Sequence, residues 1–267
     1  MPSNLKQERI YRAFLLLFIL FAFTLTGPVQ AGDQGGSQST IVLIIDDLGN
    51  NLERGMQAIG LPGDISYAIL PHTPNGESLA NAAEAADKEV LLHAPMANLL
   101  RQPLGPGALT SEMNKTDFIE TLRAAIAATP HLRGVNNHMG SQLTQMPRQM
   151  MWLMEELGRQ NLYFIDSRTS VDTVAATIAE HYGIPSLSRN IFLDNERNIE
   201  AIDQQFKRLL QKARDDGIAV GIGHPYKETI YYLQRALPML AAQGFKLALV
   251  SDAMGQGKKH LGPAMNL

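Results

Sequence analysis

Two adjacent aspartates, Asp46 and Asp47, close the apolar run Ile41-Val-Leu-Ile-Ile45. Histidines close three more runs: His93 ends Glu89-Val-Leu-Leu92, His138 ends Gly134-Val-Asn-Asn137, and His224 ends Ile218-Ala-Val-Gly-Ile-Gly223. Asp166 follows Leu162-Tyr-Phe-Ile165, and Asp194 follows Asn190-Ile-Phe-Leu193. In parallel α/β folds the carboxyl ends of the strands share one rim, and ligands bind there. Carboxylates and imidazoles gathered on such a rim are the ligands and acid–base groups of a metal-dependent hydrolase.

Each residue also has a plainer reading. Asp47, Gly49 or Asn50 could start a helix at Asn51, but capping needs one acid and not two. Two adjacent carboxylates leaving a buried strand are costly unless a cation sits beside them. A lone strand-end histidine is usually structural; His93 has company. Asn136 and Asn137 place amides beside His138, which suits a loop that meets substrate. Asp166 is either part of a site or half of a rim-holding ion pair with Arg168 or Arg189. Asp194 is either a site residue or part of a solvated loop, Asp194-Asn-Glu-Arg197. His224 sits between the small residues Gly221-Ile-Gly223 and the fixed exit of Pro225.

The elements that must position these residues alternate. Eight near-continuous apolar runs, at about 40–46, 64–70, 89–93, 134–138, 161–166, 188–194, 217–223 and 246–251, read as strands buried on both faces. Helical patterns lie between them: Gly76 to Asp87, a helix capped by Asn114 or Thr116 and ended by Pro130, one begun by Pro147, a short one around Val174 and Ile178, one from Ile202 closed by Gly217, and a last one from Thr229 to Ala242 bent at Pro238. Met150, Met151, Met154 and Leu157 are assigned to one core-facing side. Strands separated by helices imply a parallel sheet, and eight in that length imply a barrel more than an open doubly wound sheet. No dinucleotide or phosphate-loop glycine motif occurs, and no Gly-x-Ser-x-Gly elbow.

The organisation is one domain. Residues 1–31 read as a cleavable secretory signal: Lys6, Arg9 and Arg12 form a positive head, Ala13–Leu25 is apolar, and Val29 and Ala31 take the small-residue positions. The apolar stretch is short of the roughly 20 residues that span a bilayer; Ile10 and Tyr11 lengthen it slightly, and an uncleaved amino-terminal anchor is the alternative. Residues 32–39 read as a polar linker, 40–254 as the catalytic-type domain and 255–267 as a loose tail. Loss of three cations and one acid with the signal takes the net charge from −3 to −5, unfavourable for nucleic acid. With no cysteine in the chain, any metal must be held by Asp, Glu or His.

Five motifs in order, Ile44-Ile-Asp-Asp47-Leu-Gly, Leu91-Leu-His-Ala-Pro-Met96, Asn136-Asn-His-Met-Gly-Ser141, Phe164-Ile-Asp-Ser-Arg-Thr169 and Ile222-Gly-His-Pro225, resemble the divergent polysaccharide deacetylase family, a branch of the NodB-like carbohydrate esterases. The resemblance spans about Thr40 to Met254 and implies a distorted seven-stranded (β/α) barrel, with one of the eight runs outside the ring. It implies Asp46 as catalytic base, Asp47 and His93 as metal ligands and His224 as general acid. Ala97 stands where the superfamily's second histidine ligand would be, and His138 on the next strand is its replacement. The implied cofactor is one divalent ion, zinc by ligand type. The implied substrate is an N-acetylated envelope glycan such as peptidoglycan, which places the protein in the periplasm or otherwise outside the cytoplasm. Asn136, Asn137, Asp166, Arg168 and Asp194 are the residues expected to touch substrate or to support the site. A non-catalytic glycan-binding or regulatory protein on the same fold is the alternative, and a metal phosphoesterase is a third.

Overall fold

A computed structural model describes residues 38–257. The expected signal and most of the expected tail lie outside the described residues. Nine parallel strands alternate with eight helices. The strands are β1 (Ser39–Leu48), β2 (Ile65–Ile69), β3 (Glu89–Met96), β4 (Leu132–Met139), β5 (Tyr163–Asp166), β6 (Ser186–Ser188), β7 (Ile191–Phe192), β8 (Ile218–Gly223) and β9 (Phe245–Ala248). The helices are α1 (Leu52–Ile59), α2 (Gly76–Ala85), α3 (Lys115–Ala127), α4 (Pro147–Arg159), α5 (Ala175–His181), α6 (Ile199–Asp216), α7 (Lys227–Ala236) and α8 (Val250–Gly257). Among the described residues no helix is long and apolar enough to cross a membrane.

The strands are ordered β6-β5-β4-β3-β2-β1-β8-β7, with β9 off this path beside β1. One edge of β1 carries β8; the other is divided between β9, at Ser39–Val42, and β2 from Leu43 onward. The sixth expected strand is broken in two. Between its halves, Arg189 N–H donates to Asp166 O (2.9 Å), and Asn190 N–H donates to Val220 O (2.9 Å). Asn190 Oδ1 also accepts from Val220 N–H (2.7 Å). Two residues of chain thus bridge the edges at β6 and β7 where a ladder would close an ideal barrel. Counting β6 and β7 as one broken stave leaves seven, and the fold is a distorted (β/α) barrel with β9 outside it.

Local chemistry places the helices. Asn51, Asn114 and Asn198 cap α1, α3 and α6, each accepting a backbone N–H three residues on. Pro147 opens α4, and Gly217 closes α6 at φ 82°. Two expectations need correction. Met150 and Met154 are buried, but Met151 is 42 % exposed, one step off the apolar face of α4. Residues 249–251 extend no strand, because the chain turns into α8 at Val250.

The period of two along each strand divides the side chains. Ile41, Leu43 and Ile45 face the helices, as do Tyr67, Leu92, Val135 and Phe164. Val42, Ile44, Ala68, Leu91, Ile165, Val220 and Ile222 fill the barrel, and Val250 and Ala253 of α8 pack against them. Tyr163 also points inward; Gly134 makes room, since a Cβ there would sit 2.1 Å from the Tyr163 ring.

Candidate functional site

Continuing the inward series by one step at the carboxyl end of each strand builds the site. After Val42 and Ile44 comes Asp46; after Leu91, His93; after Gly134, Asn136 and His138; after Ile222, His224. Asp46 and His93 are each 2 % exposed and Asn136 is fully buried. Asp47 should point outward by this alternation. It does not, because its φ is +60° and the register of β1 slips between Ile45 and Leu48. This left-handed residue at an irregularity turns a second carboxylate back to the rim.

Asp47 Oδ1 lies 3.1 Å from His93 Nε2 and 2.9 Å from His138 Nδ1, and the two nitrogens are 3.1 Å apart. Despite these distances Asp47 Oδ1 is buried and makes no hydrogen bond of acceptable geometry. The two nitrogens lie within hydrogen-bond distance of each other, while the oxygen between them is left without one, an arrangement in which all three atoms can turn lone pairs to a shared point. These three ligand atoms lie within 4.8 Å of one another. One carboxylate oxygen and two imidazole nitrogens are a donor set for zinc and similar divalent ions.

Asn136 ties this centre to Asp46. Its Oδ1 is 2.8 Å from His93 Nδ1, and its Nδ2–H donates to Asp46 Oδ1 (2.8 Å). An amide oxygen can only accept, so His93 carries its proton on Nδ1 and offers Nε2 to the centre. Asp46 keeps Oδ2 free, 3.7 Å from His93 Nε2. Burial pushes the Asp46 carboxyl up, against the pull of His93. Burial acts the same way on Asp47, but His138 and His93 outweigh it and hold that carboxyl well below the ordinary range. Burial lowers His93, yet Asp46 and Asp47 together raise it to about 9.

His224 stands across the rim with Nε2 3.9 Å from Asp47 Oδ2. Asp194 holds it twice: Oδ1 lies 2.8 Å from His224 Nδ1 and Oδ2 accepts the His224 backbone N–H (2.7 Å). Thr229 Oγ1–H donates to the same Oδ2 (2.7 Å). Burial disfavours the imidazolium, but the Asp194 hydrogen bond and charge raise the His224 pKa overall. Two aromatic rings also lie near-parallel to the imidazole. Phe192 and Tyr226 stack on it at 6.3 and 5.3 Å between ring centroids. Arg189 lies 3.9 Å from the Phe192 centroid and Arg197 3.8 Å from that of Tyr226.

The structure does not bring every expected residue into this group. Asn137 has the outward parity; its Nδ2–H donates to Met139 O and its Oδ1 accepts Ser167 N–H, so it ties β4 to the loop after β5. Asp166 also points outward. It is fully buried, accepts from Arg168 N–H and the Thr173 hydroxyl, and forms no ion pair with Arg168 or Arg189. Arg168 is exposed at φ +47° and lends its carbonyl to Arg189. Sequence reading missed Thr229, Phe192, Tyr226 and Arg197. The signal for Phe192 and Tyr226 was their parity, two residues before Asp194 and two after His224.

A model of the divergent polysaccharide deacetylase family matches residues 43–254. The chain belongs to that family. YibQ of Escherichia coli (strain K12), an uncharacterized protein, is 37% identical over 211 residues, which is 79% of this chain and 64% of YibQ. This chain therefore spans just under two thirds of that relative. Among solved structures, the uncharacterized protein ATU2773 from Agrobacterium tumefaciens C58 superposes with a TM-score of 0.78 at 21% identity, covering 82% of this chain and 90% of the other. BA3943 from Bacillus anthracis, described as a CE4 family pseudoenzyme, has a TM-score of 0.51 at 13% identity, covering 81% and 66%. Both likenesses are of fold. The deacetylase family fold is thus the frame on which the Asp47–His93–His138 group is assembled.

Proposed function

We propose that this protein is an exported, metal-dependent hydrolase that removes acetyl groups from N-acetylated envelope glycans. The observation that carries the reading is Asp47 Oδ1, buried, unpaired and within 3.1 Å of two imidazole nitrogens. Asp47, His93 and His138 would hold one divalent ion, zinc by donor type. Bound there, such an ion polarises an acetamide carbonyl and lowers the pKa of water from 15.7 toward about 7.

The protein residues divide the proton work. Asp46 Oδ2, left free by Asn136, accepts a proton from the attacking water. His224 Nε2 donates a proton to the leaving nitrogen as the acetamide C–N bond breaks, and acetate and a free amine are released. Asp194 holds His224 Nδ1–H, so Nε2 faces the rim. The two roles require opposite protonation, a base at Asp46 and an acid at His224, and opposite sides of one centre supply them. The polar rim, the family membership and the signal-like residues 1–31 together favour a glycan outside the cytoplasm.

A non-catalytic, glycan-binding reading has one observation in its favour. Ala97, at the position of the superfamily's second histidine, is buried in the core with its N–H on Leu109 O. Metal analysis of the purified protein beside His93→Ala and His138→Ala separates the two readings. Stoichiometric metal in the wild type, lost in both variants, with acetate released from N-acetylated glycans, is the expected result. A protein that carries no metal and releases no acetate is the binder.

A further inference from the structure

Beside the metal-ligand group lies a small cleft of about 150 Å³, lined by Asp47, Asn50, Asn51, Arg54, Pro225 and Tyr226. Asp47 is shared by the cleft and the metal-ligand group, so the cleft adjoins the place where an acetamide would sit. The one cation in its lining, Arg54, is uncommitted. Among the described residues the Arg54 guanidinium has no acidic partner and no hydrogen bond; only its backbone N–H is engaged, by Asn51 Oδ1 (2.9 Å). The nearest acid in sequence, Glu53, is turned along α1 to Gln57 Nε2 (3.3 Å).

Tyr226, also in the lining, is held by Arg197, whose Nη2–H donates to the Tyr226 hydroxyl (2.8 Å) and whose guanidinium lies over the ring. Tyr226 Oη therefore accepts from Arg197 and has its own proton left to give. Arg197 too has no carboxylate within ion-pair distance among the described residues. A guanidinium with five donors and no anion, opposite a phenol with a free O–H, is complementary to a planar carboxylate. Asp46 and Asp47 do not oppose such a ligand once a divalent ion balances their charges.

We propose that this cleft is a subsite for a carboxylate carried by the substrate, so that the N-acetylated sugar taken at Asp47 is an acidic one. Arg54 is its counter-ion and the Tyr226 hydroxyl a second donor. The cleft's size and its place against Asp47 suit a short carboxylate-bearing ether, such as a lactyl group, on the ring carbon next to the acetamide. The inference rests on the deacetylase reading and names the substrate class of that same site.

The test is calorimetric binding of two peptide-free probes to the metal-loaded full chain. One is a neutral tetramer of N-acetylglucosamine; the other is a tetramer alternating N-acetylglucosamine with N-acetylmuramic acid. The wild type is expected to bind the acidic tetramer about tenfold tighter, a preference that shrinks with salt. Arg54→Gln, at an exposed position, should lose that preference while its affinity for the neutral tetramer stays the same; Arg54→Lys should keep part of it. Equal binding of the two probes by the wild type, or an undiminished preference in Arg54→Gln, overturns the subsite while acetate release leaves the deacetylase reading standing. Binding of neither probe, with no acetate released, overturns both.

Discussion

Buried acids occupy both ends of the barrel interior, and they are treated differently. At the carboxyl end Asp46 and Asp47 meet His93, His138 and His224, with one carboxylate oxygen left unpaired among nitrogens. At the amino end Glu89, the first residue of β3, is 4 % exposed and meets no cation among the described residues, and its Oε1 is likewise buried without a hydrogen bond but has no imidazole beside it. Its Oε2 accepts from the Ser66 hydroxyl (2.9 Å) and from Ser251 N–H (3.3 Å) at the start of α8. Ser66 Oγ in turn accepts Val250 N–H (3.3 Å). Tyr163 lies beside it, its phenol pushed well above the ordinary range by burial and then by the Glu89 charge. One layer of apolar side chains separates the ends. The lower acid docks a helix, and the upper acids face imidazoles, the group proposed to hold a metal. The number of buried carboxylates is therefore a poor guide to function; what they face decides it.

Exchanging one acid at each end should break this symmetry in opposite directions. The largest effect is expected from Asp46→Asn. Loss of the base should cut acetate release by about 10²–10⁴-fold, while the thermal midpoint stays level or rises, because burial already disfavours that carboxylate. Activity and melting curves on one preparation check both halves. Next is Asn136→Ala, which frees His93 to change tautomer and should weaken metal affinity by about 10–100-fold in a chelator titration.

At the lower end, Glu89→Leu should cost about 1–3 kcal/mol by leaving the Ser66 hydroxyl and Ser251 N–H unpaired. Denaturant unfolding would show the loss, and acetate release per folded molecule should not change. A drop in specific activity as large as that of Asp46→Asn would dissolve the distinction between the ends. The smallest effect belongs to Tyr163→Phe, which removes a hydroxyl without a hydrogen-bond partner and should be close to neutral at pH 7. Its mark is alkaline. The folded-state pKa of Tyr163 is raised above 10.0, so its contribution is complete below the unfolded value and lost as pH rises through the folded one. The wild type should lose stability above about pH 10 more steeply than Tyr163→Phe. The slope that remains in the variant includes Tyr67, Tyr226 and Tyr232, whose phenols burial also raises.

The same alternation explains which residues were legible beforehand. Asp46, His93, His138 and His224 continue inward series written in the sequence, and each is at the rim. Asn137 and Asp166 are one residue out of phase, and both were expected at the site when parity already sent them to the helix side. The caps at Asn114 and Gly217 and the start at Pro147 are local effects and could be read locally. The broken stave at Arg189-Asn190 could not, because its two hydrogen bonds go to β5 and β8, far away in the chain.

The chain alone determines the alternation of buried strand and helix, the parity that turns five polar side chains inward, and the absence of any thiolate ligand. These follow from burial and the two-residue repeat, which act over a few neighbours. Only the tertiary structure decides that Asp47 joins the same rim through a left-handed residue, that Asn136 bridges His93 and Asp46, and that Arg54 and Tyr226 line one cleft. Those depend on contacts between strands and loops distant in sequence, where the conformation of a single residue sets which groups meet.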